Sequence, residues 1–394
     1  MKFLHVSDLH IGKVVNDFSM LEDQRFILEQ IGGMARANQV DAVVIAGDVY
    51  DRAIPSGEAV TLLDQFLTEL SSQKIQVLLV SGNHDSPERL SFGKQLFGRQ
   101  GVHIAGVQEE KLMTVEFREP MPGSLRKEII TQFVLLPFLK PAQVNASSSG
   151  EAVEKILAGY WEQEKKSGRK NKNRVLVTHF FVTDSGREPE LSDSETTIHV
   201  GGLDQVECSI LAGFDYVALG HIHKPQQIGE HPVWYAGSPL KYSFGETAQE
   251  KCALLVNLGE RGLKEVRPLP LRPMREMRKI RGSLAKLLEA GQEDRGRLDY
   301  IQADLTDKGE LIDPMGILRN VYPHVMQMVR TGNQGAGEQG FEVSERQHLA
   351  EKRDVLALFA DFYQEVKGEA LTKQGKGMIE SIVKELEGQE GNRI

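Results

Sequence analysis

Short apolar runs alternate with amphipathic segments over most of the chain, and this alternation constrains the fold more than any other feature. The runs are rich in Val, Leu and Ile and too short for helices, so we predict buried strands. They lie at residues 3–6, 42–46, 77–80, 133–136, 175–177 and 216–219. Between them, residues 23–37 and 57–70 each carry apolar side chains on one helical face. This order predicts a layered α/β fold with helices flanking the sheet.

Polar motifs follow five of these runs at the point where each predicted strand ends. The residues concerned are Asp8, His10, Asp48, Asn83, His84, His179, His221 and His223. Because the carboxyl ends of strands in an open α/β sheet meet at one edge, we expect these residues to converge. Gly47, Gly82 and Gly220 allow tight turns beside them.

The residue types of this set favour a catalytic metal centre. Carboxylates, imidazoles and an amide without thiolates suit manganese, iron or zinc better than a structural zinc site. A carboxylate can bridge two cations, and two cations can clamp the attacking and leaving oxygens of a phosphoryl displacement. Each motif alone has an ordinary explanation as a helix cap, a turn or a core histidine. The prediction therefore depends on their convergence.

Composition excludes some function classes and leaves others open. The chain has 394 residues and a formal net charge of −9, which predicts several domains and argues against a protein that coats DNA through its global charge. The N-terminus does not resemble a signal peptide, and no apolar run is long enough to span a bilayer. Two cysteines without metal or redox spacing favour a reduced, cytoplasmic protein.

The C-terminal third differs in character from the rest. Pro268, Pro270 and Pro273 mark a break, and we predict a β-α-β-α-β unit after it. Residues 332–343 are rich in Gly and Gln and predict a flexible linker. Residues 344–388 carry two helical patterns whose apolar faces must be buried against something.

Longer motifs identify a family resemblance. The segments SDLHIGK, GDVYDRAIPS, VSGNHDSPERL, GHIHKPQ and YAGSPLKYSFGE, within about residues 1–250, resemble the calcineurin-like metallophosphoesterase superfamily. Within it they resemble the bacterial nuclease subunits that act with a coiled-coil ATPase in DNA repair, recombination and replication. The resemblance implies a layered sandwich with a small α+β capping domain and a helical tail. It also implies ATP-dependent exonuclease activity on double strands, and endonuclease activity on single strands and hairpins.

The family pattern implies roles for individual residues. One cation is held by Asp8, His10, Asp48 and His223, and the second by Asp48, Asn83, His179 and His221. Asp48 bridges the two cations, which are expected to be Mn²⁺. His84 is not a ligand but contacts the scissile phosphate and helps to protonate the leaving oxygen.

The resemblance also implies domains and partners. It assigns residues 1–265 to the nuclease domain, 266–331 to a DNA-facing cap and 344–394 to a tail that docks on the ATPase. In the cap, Arg275, Arg278 and Lys279 are candidate phosphate contacts, and a solvated edge strand is the alternative. In the family, the helices that correspond to residues 57–70 and 88–97 build a homodimer, so the resemblance implies one here. Leu90, Leu96 and Phe97 then lie either in its interface or in the core.

One departure from the family pattern leaves a role open. Archaeal and eukaryotic relatives carry a His shortly after the bridging Asp, where this chain has Asp51 and Arg52. Arg52 either contacts a phosphate, as in phosphatases of the superfamily, or forms a surface ion pair with Asp51.

Two other functions remain alternatives at this point. One is a small-substrate phosphodiesterase or phosphoprotein phosphatase, which the negative net charge and Asp51-Arg52 favour. The other is a non-catalytic scaffold that keeps its metals for structure.

Overall fold

The computed structural model describes residues 1–121, 128–167, 172–192, 203–330 and 375–376. The chain divides into two compact units, Met1–Gly332 and Asn333–Ile394. In the second unit only the helical residues Gly375 and Lys376 are described. The predicted linker and the rest of the predicted tail lie outside the described residues.

The secondary structure follows the predicted alternation closely. The strands are β1 (Lys2–Val6), β2 (Val14–Val15), β3 (Phe18–Ser19), β4 (Ala42–Ala46), β5 (Gln76–Val80), β6 (Val102–Ala105), β7 (Met113–Pro120), β8 (Glu128–Leu135), β9 (Lys172–His179), β10 (Phe181–Thr183), β11 (Gln205–Glu207), β12 (Tyr216–Gly220), β13 (Gln226–Gln227), β14 (Val233–Tyr235), β15 (Cys252–Gly259), β16 (Gly262–Pro270), β17 (Met277–Gly282), β18 (Tyr300–Leu305) and β19 (Val325–Arg330). The helices are α1 (Leu21–Ala37), α2 (Gly57–Ser72), α3 (Pro87–Leu90), α4 (Lys94–Gly98), α5 (Ser149–Ser167), α6 (Leu284–Glu293) and α7 (Pro314–Arg319), with 3-10 turns at Pro141–Val144, Cys208–Leu211 and Phe244–Glu246. The six predicted strands and the helices at 23–37 and 57–70 are confirmed.

Two six-stranded sheets form the centre of the first unit. Their strand orders are β16-β15-β1-β4-β5-β6 and β13-β14-β12-β9-β8-β7. Strands β1, β4, β5 and β6 are parallel, as are β8, β9, β12 and β14, and antiparallel strands complete both sheets. Alternate side chains from the two sheets share one core, in which the ring centroids of Phe3 and Phe133 lie 5.2 Å apart. The sheets therefore pack face to face.

Helices cover both outer faces of this pair of sheets. Leu4 and Val43 on the first sheet share a core with Ile27 of α1 and Phe66 of α2. Residues of the second sheet share another core with α5. The predicted layered sandwich with flanking helices is thus confirmed. None of the described helices is long and apolar enough to cross a membrane.

The β-α-β-α-β unit follows the sandwich as a parallel sheet, β17-β18-β19, with α6 and α7 as its crossovers. Ser283 caps α6, since its hydroxyl accepts a hydrogen bond from the backbone of Lys286. Strand β16 still pairs with β15 as far as Pro270. The first sheet therefore continues five residues beyond the boundary predicted at 265.

The helix expected at 88–97 is interrupted, which corrects that prediction. Gly93 adopts a left-handed conformation with φ of +70° and separates α3 from α4. Leu90 is buried in the core between α2 and the first sheet, so it is not an exposed interface residue. Leu96 and Phe97 are exposed, as is the neighbouring Phe92.

Candidate metal centre

The loops that follow β1, β4, β5, β9 and β12 meet at one end of the sandwich. The first three strands belong to one sheet and the last two to the other. Backbone hydrogen bonds join the loops, because the amide of Asp8 donates to the carbonyl of Gly47 over 3.1 Å. Across the two sheets, the amide of His221 donates to Asp8 Oδ1 over 3.0 Å. Convergence therefore depends on two facing sheets and not on the edge of a single sheet.

One group of predicted ligands lies around His10. Its Nε2 atom is 3.2 Å from Nε2 of His223 and 3.7 Å from Oδ2 of Asp48. Asp8, His10 and His223 each offer a ligand atom, and these atoms lie within 4.8 Å of one another. All three residues are buried.

A second group lies on the other side of Asp48. Nε2 of His179 is 3.4 Å from Asp48 Oδ2 and 3.0 Å from Asn83 Oδ1. Nδ1 of His221 is 3.1 Å from the same amide oxygen. Asp48 Oδ2 thus lies near both groups, which is the position a bridging carboxylate requires.

The donor set fits two divalent cations. Two unprotonated imidazole nitrogens cannot face each other at 3.2 Å without repulsion, so His10 and His223 need a proton or a cation between them. Carboxylate, imidazole and amide donors together match the preferences of manganese, iron and zinc. All seven predicted ligands contribute to the two groups.

Strained backbone presents these ligands. Asp8, His10 and Asp48 have φ values of +51°, +44° and +47°. Left-handed conformations of non-glycine residues cost roughly 1–2 kcal/mol each. Such strain persists only where surrounding contacts hold it, and it is concentrated at functional sites.

Two glycines leave space that a side chain would fill. A Cβ atom on Gly82 would lie 2.0 Å from Asp48 Oδ1. One on Gly47, whose φ is +87°, would lie 2.3 Å from the His179 ring. Glycine is therefore required at both positions for the ligands to approach.

A buried ion pair orients His223, and it was not predicted from the sequence. Nδ1 of His223 lies 3.3 Å from Oε1 of Glu246, whose other oxygen is 2.6 Å from Nζ of Lys251. A carboxylate at Nδ1 fixes the ring and leaves Nε2 for a cation. Glu246 closes the segment YAGSPLKYSFGE, so that motif was the signal that could have found it.

Asp85 is a second residue whose role was not predicted from the sequence. Its carboxylate accepts hydrogen bonds from the backbone amides of Gly82, Val49 and Tyr50 at 2.8–3.1 Å. It therefore ties the loop after β5 to the loop after β4, beside Asp48.

Burial and mutual charge shift the pKa values at this site. Burial raises the pKa of Asp8 to about 6. Burial also acts to raise the pKa of Asp48, but the positive charge of His179 and its hydrogen bond outweigh it and hold that pKa well below its usual value. Conversely, Asp48 outweighs the effect of burial on His179 and raises its pKa to about 9. Burial lowers the pKa of His10 well below its usual range.

His84 lies at the rim of the cluster. Its side chain is 44% exposed, and Nε2 is 4.0 Å from Asp48 Oδ2. Nδ1 donates to the carbonyl of Asp51 over 3.1 Å, which directs Nε2 towards the ligands. Its backbone amide also donates to Asp48 Oδ1 over 2.9 Å.

The structure places the four predicted phosphate contacts differently from one another. Arg52 is exposed, with Nε 3.7 Å from Asp51 Oδ2, which matches the surface ion pair. Nη1 of Arg275 is 2.6 Å from Asp23 Oδ2. Arg278 forms ion pairs with Asp294 and Asp299 inside the small unit. Lys279 is exposed. Arg275 and Arg278 therefore neutralise carboxylates of this chain.

Fold and site together define a metallophosphoesterase. The family model described as calcineurin-like phosphoesterase matches residues 1–225, and the chain belongs to that family. A second model, described as the type 5 capsule protein repressor C-terminal domain, matches residues 273–367.

Curated relatives resemble the chain over nearly its whole length. The SbcD subunit of the nuclease SbcCD from Staphylococcus epidermidis is 30% identical over 397 residues, covering 99% of this chain and 100% of the relative. The protein of the same name from Staphylococcus saprophyticus is 28% identical, covering 98% of each. Within the calcineurin-like phosphoesterases the chain thus belongs to the SbcD family, and it is a phosphodiester hydrolase.

Two solved phosphoesterase structures are similar to part of the chain. A dimetal phosphatase from Danio rerio has a TM-score of 0.39 and 15% identity, over 69% of this chain and 99% of its own. The calcineurin-like phosphoesterase YfkN from Bacillus subtilis has a TM-score of 0.37 and 12% identity, over 69% and 90%.

Proposed function

We propose that the chain is the DNA-cleaving subunit of an SbcCD-type complex and hydrolyses phosphodiester bonds with two divalent cations. One observation carries this proposal: six donor side chains gather on both sides of a seventh, Asp48, at one end of the sandwich. The full-length similarity to relatives named as nuclease subunits supports DNA as the substrate.

The seven donors divide between two cation positions. Asp8, His10 and His223 would hold one cation, Asn83, His179 and His221 the other, and Asp48 would bridge them. Two cations, which we propose to be Mn²⁺, would offset charge on the phosphate oxygens and activate water for attack. Their ligands are held by Glu246 behind His223 and by the carbonyl of Ala46 behind His179.

His84 is the proposed proton donor to the leaving oxygen. Its Nε2 faces the cluster from an exposed position, where a phosphodiester can reach it. Replacing His84 with Ala should reduce cleavage by about 10²–10⁴-fold. Metal content, measured by mass spectrometry, should remain at two cations per chain. Full cleavage activity in His84→Ala would refute the role.

DNA would also contact the small β-α-β-α-β unit, where Lys279 remains a candidate phosphate contact because Arg275 and Arg278 are paired with carboxylates. An exposed cation that contacts one phosphate contributes about one unit to the salt dependence of binding. Lys279→Ala should therefore reduce that slope, whereas Arg278→Met should not. Equal slopes in Lys279→Ala and the unsubstituted chain would exclude the contact.

We also propose an SbcC-type ATPase as partner, docked on residues 344–388. The name of the relatives denotes a subunit of a two-component nuclease, and the second family model extends into this segment. The free cysteines Cys208 and Cys252 agree with a reducing, cytoplasmic setting. A chain that ends at residue 331 should keep its fold and lose co-elution with the ATPase. Retained co-elution would contradict this docking site.

A homodimer is the proposed assembly of the nuclease domain itself. Phe92, Leu96 and Phe97 lie within six residues at and before α4, with 82%, 66% and 40% of each residue exposed. Exposed apolar residues that cluster on a surface mark interaction sites. Leu96→Glu should convert the dimer to a monomer in light scattering, whereas Ile312→Glu, on an exposed loop of the small unit, should not. A monomeric unsubstituted chain would exclude the dimer.

One assay separates this function from its alternatives. Linear duplex, hairpin-ended duplex, single-stranded DNA and a chromogenic phosphodiester are each incubated with Mn²⁺, Mg²⁺ or Zn²⁺. Each reaction is run with and without the ATPase and ATP, and Asp48→Asn is the inactive control. ATP-dependent cleavage of duplex ends and hairpins is expected, with Mn²⁺ as the best cation. Hydrolysis of the chromogenic ester alone indicates a small-substrate enzyme, and cation binding without hydrolysis indicates a scaffold.

A further inference from the structure

The side-chain amide of Gln24, in the first turn of α1, is buried against the loop that follows β1. Its Oε1 accepts a hydrogen bond from the amide of Gly12 over 2.9 Å. Its Nε2 donates to the carbonyl of His10 over 2.7 Å and also contacts the carbonyl of Leu9 at 3.3 Å. One side chain therefore binds backbone groups on both sides of His10.

Tyr242 contacts the same loop next to Gln24. Its hydroxyl donates to the carbonyl of Leu9 over 2.6 Å and accepts from Gln24 Nε2 over 3.1 Å. Its ring meets the imidazoles of His10 and His223 edge-on, with centroids 5.7 and 6.0 Å away. Tyr242 is thus in contact with both histidines of the first ligand group.

The loop needs such support because of its conformation. His10 has a φ of +44° and Gly12 one of +91°. A histidine in this left-handed region is strained, so the loop would relax if its carbonyl and amide groups were released. Relaxation would move His10 Nε2 away from His223 and Asp48.

We propose that Gln24 and Tyr242 are positioning residues that set the affinity of the cation held by Asp8, His10 and His223. The inference rests on the proposed two-cation function and adds that the two cation sites depend on different supporting contacts. The second group is fixed by other contacts, since His179 Nδ1 hydrogen-bonds the carbonyl of Ala46 over 2.8 Å. Loss of the Gln24–Tyr242 contacts therefore weakens one cation site and spares the other.

Calorimetric titration of the metal-free, full-length chain with Mn²⁺ tests this asymmetry. Gln24→Leu should lower the Mn²⁺ affinity of one of the two sites by about 10–100-fold, the usual effect of losing a residue that orients a metal ligand. Tyr242→Phe, which removes only the hydroxyl, should weaken the same site less. The other site should keep its affinity in both variants.

Asn173 offers a matched control for general destabilisation. Its buried amide also binds backbone on two sides, donating to the carbonyl of Gly259 over 2.7 Å and accepting from the amide of Gly262 over 3.0 Å. Gly259 and Gly262 belong to the turn between β15 and β16, which lies at the start of β1 and so at the opposite end of the sheet from the ligand loops. Asn173→Leu should lower the melting temperature and leave both cation sites unchanged.

The outcomes separate this inference from the proposed function. Two unchanged sites in a folded Gln24→Leu chain, or equal weakening of both sites, would overturn the positioning role. If Gln24→Leu fails to fold, unchanged affinities in Tyr242→Phe overturn it instead. An unsubstituted chain that binds fewer than two cations refutes the two-cation site itself, whatever the variants do.

Discussion

Replacing Lys251 by Met is expected to destabilise the sandwich strongly, because it leaves the carboxylate of Glu246 buried without its cation. Nζ of Lys251 lies 2.6 Å from Glu246 Oε2 and 2.8–2.9 Å from three further oxygens. Glu246 is fully buried, and Lys251 nearly so. The ammonium group therefore neutralises the residue that orients His223.

The expected magnitude follows from the burial of the pair. Removing one partner of a buried ion pair costs about 3–5 kcal/mol, since the remaining buried charge loses its paired cation. The double variant Lys251→Met/Glu246→Gln removes both charges and keeps an amide oxygen beside His223. It should cost clearly less than the sum of the two single variants.

Urea unfolding in EDTA measures these costs without a contribution from cations. Trp161 on α5 and Trp234 on β14 both report on the second sheet by fluorescence. Lys94→Met is the control, because Lys94 pairs with the exposed Glu109 and surface pairs contribute less than about 1 kcal/mol. Equal costs for Lys251→Met and Lys94→Met, or simple additivity in the double variant, would refute the reasoning.

The loss of unfolding stability in acid should also change in Lys251→Met. Burial acts to raise the pKa of Glu246, but His223 and Lys251 outweigh it and hold the pKa well below the ordinary value of 4.5. A carboxyl group whose pKa is lower in the folded state stabilises fully above pH 4.5 and loses that contribution as the pH falls. Lys251→Met should lose less stability than the unsubstituted chain between pH 4.5 and 3.

Three further predictions concern the ligands and the joint with the small unit. Gly47→Ala should weaken Mn²⁺ binding at least about tenfold, because the new methyl group would meet the His179 ring at 2.3 Å and the strained φ adds to the cost; unchanged calorimetric affinity would contradict this. In EDTA, unfolding stability should fall as the pH rises from 6.5 to 9, because neighbouring carboxylates outweigh burial and raise the pKa of folded His179 to about 9; a slope equal to that of His179→Gln argues against it. Arg275→Met should speed hydrogen exchange in β17 several-fold, because it removes the 2.6 Å contact with the buried carboxylate of Asp23. Unchanged exchange would show that this ion pair does not hold β17 in place.

The strands and the ligand loops could be predicted because their signals are local. Each apolar run and the polar motif after it lie within about ten residues, so residue type and position were sufficient. The pairing of strands was not local. Leu4 in β1 pairs with Leu255 in β15, and the two sheets that form the site pack together through a shared core. The sequence pattern alone therefore predicted that the site residues meet at the edge of a single sheet.

The supporting residues could not be found in this way. Gln24 and Tyr242 are 218 positions apart, and although Tyr242 lies within the segment YAGSPLKYSFGE, nothing in the sequence pairs it with Gln24. Arg275 was read as a cation of a DNA-facing strand, but its partner Asp23 lies 252 positions away on α1. A sequence shows where a charge is, whereas its partner depends on how the domains pack.

The central claim is that Asp48 lies between two cations held by loops of both sheets. Anomalous diffraction from crystals of the chain grown with Mn²⁺ tests it most directly. We predict two anomalous peaks flanking the Asp48 carboxylate, one beside His10 and His223 and the other beside Asn83 and His179. A single peak, or peaks that Asp48 does not touch, would contradict the account.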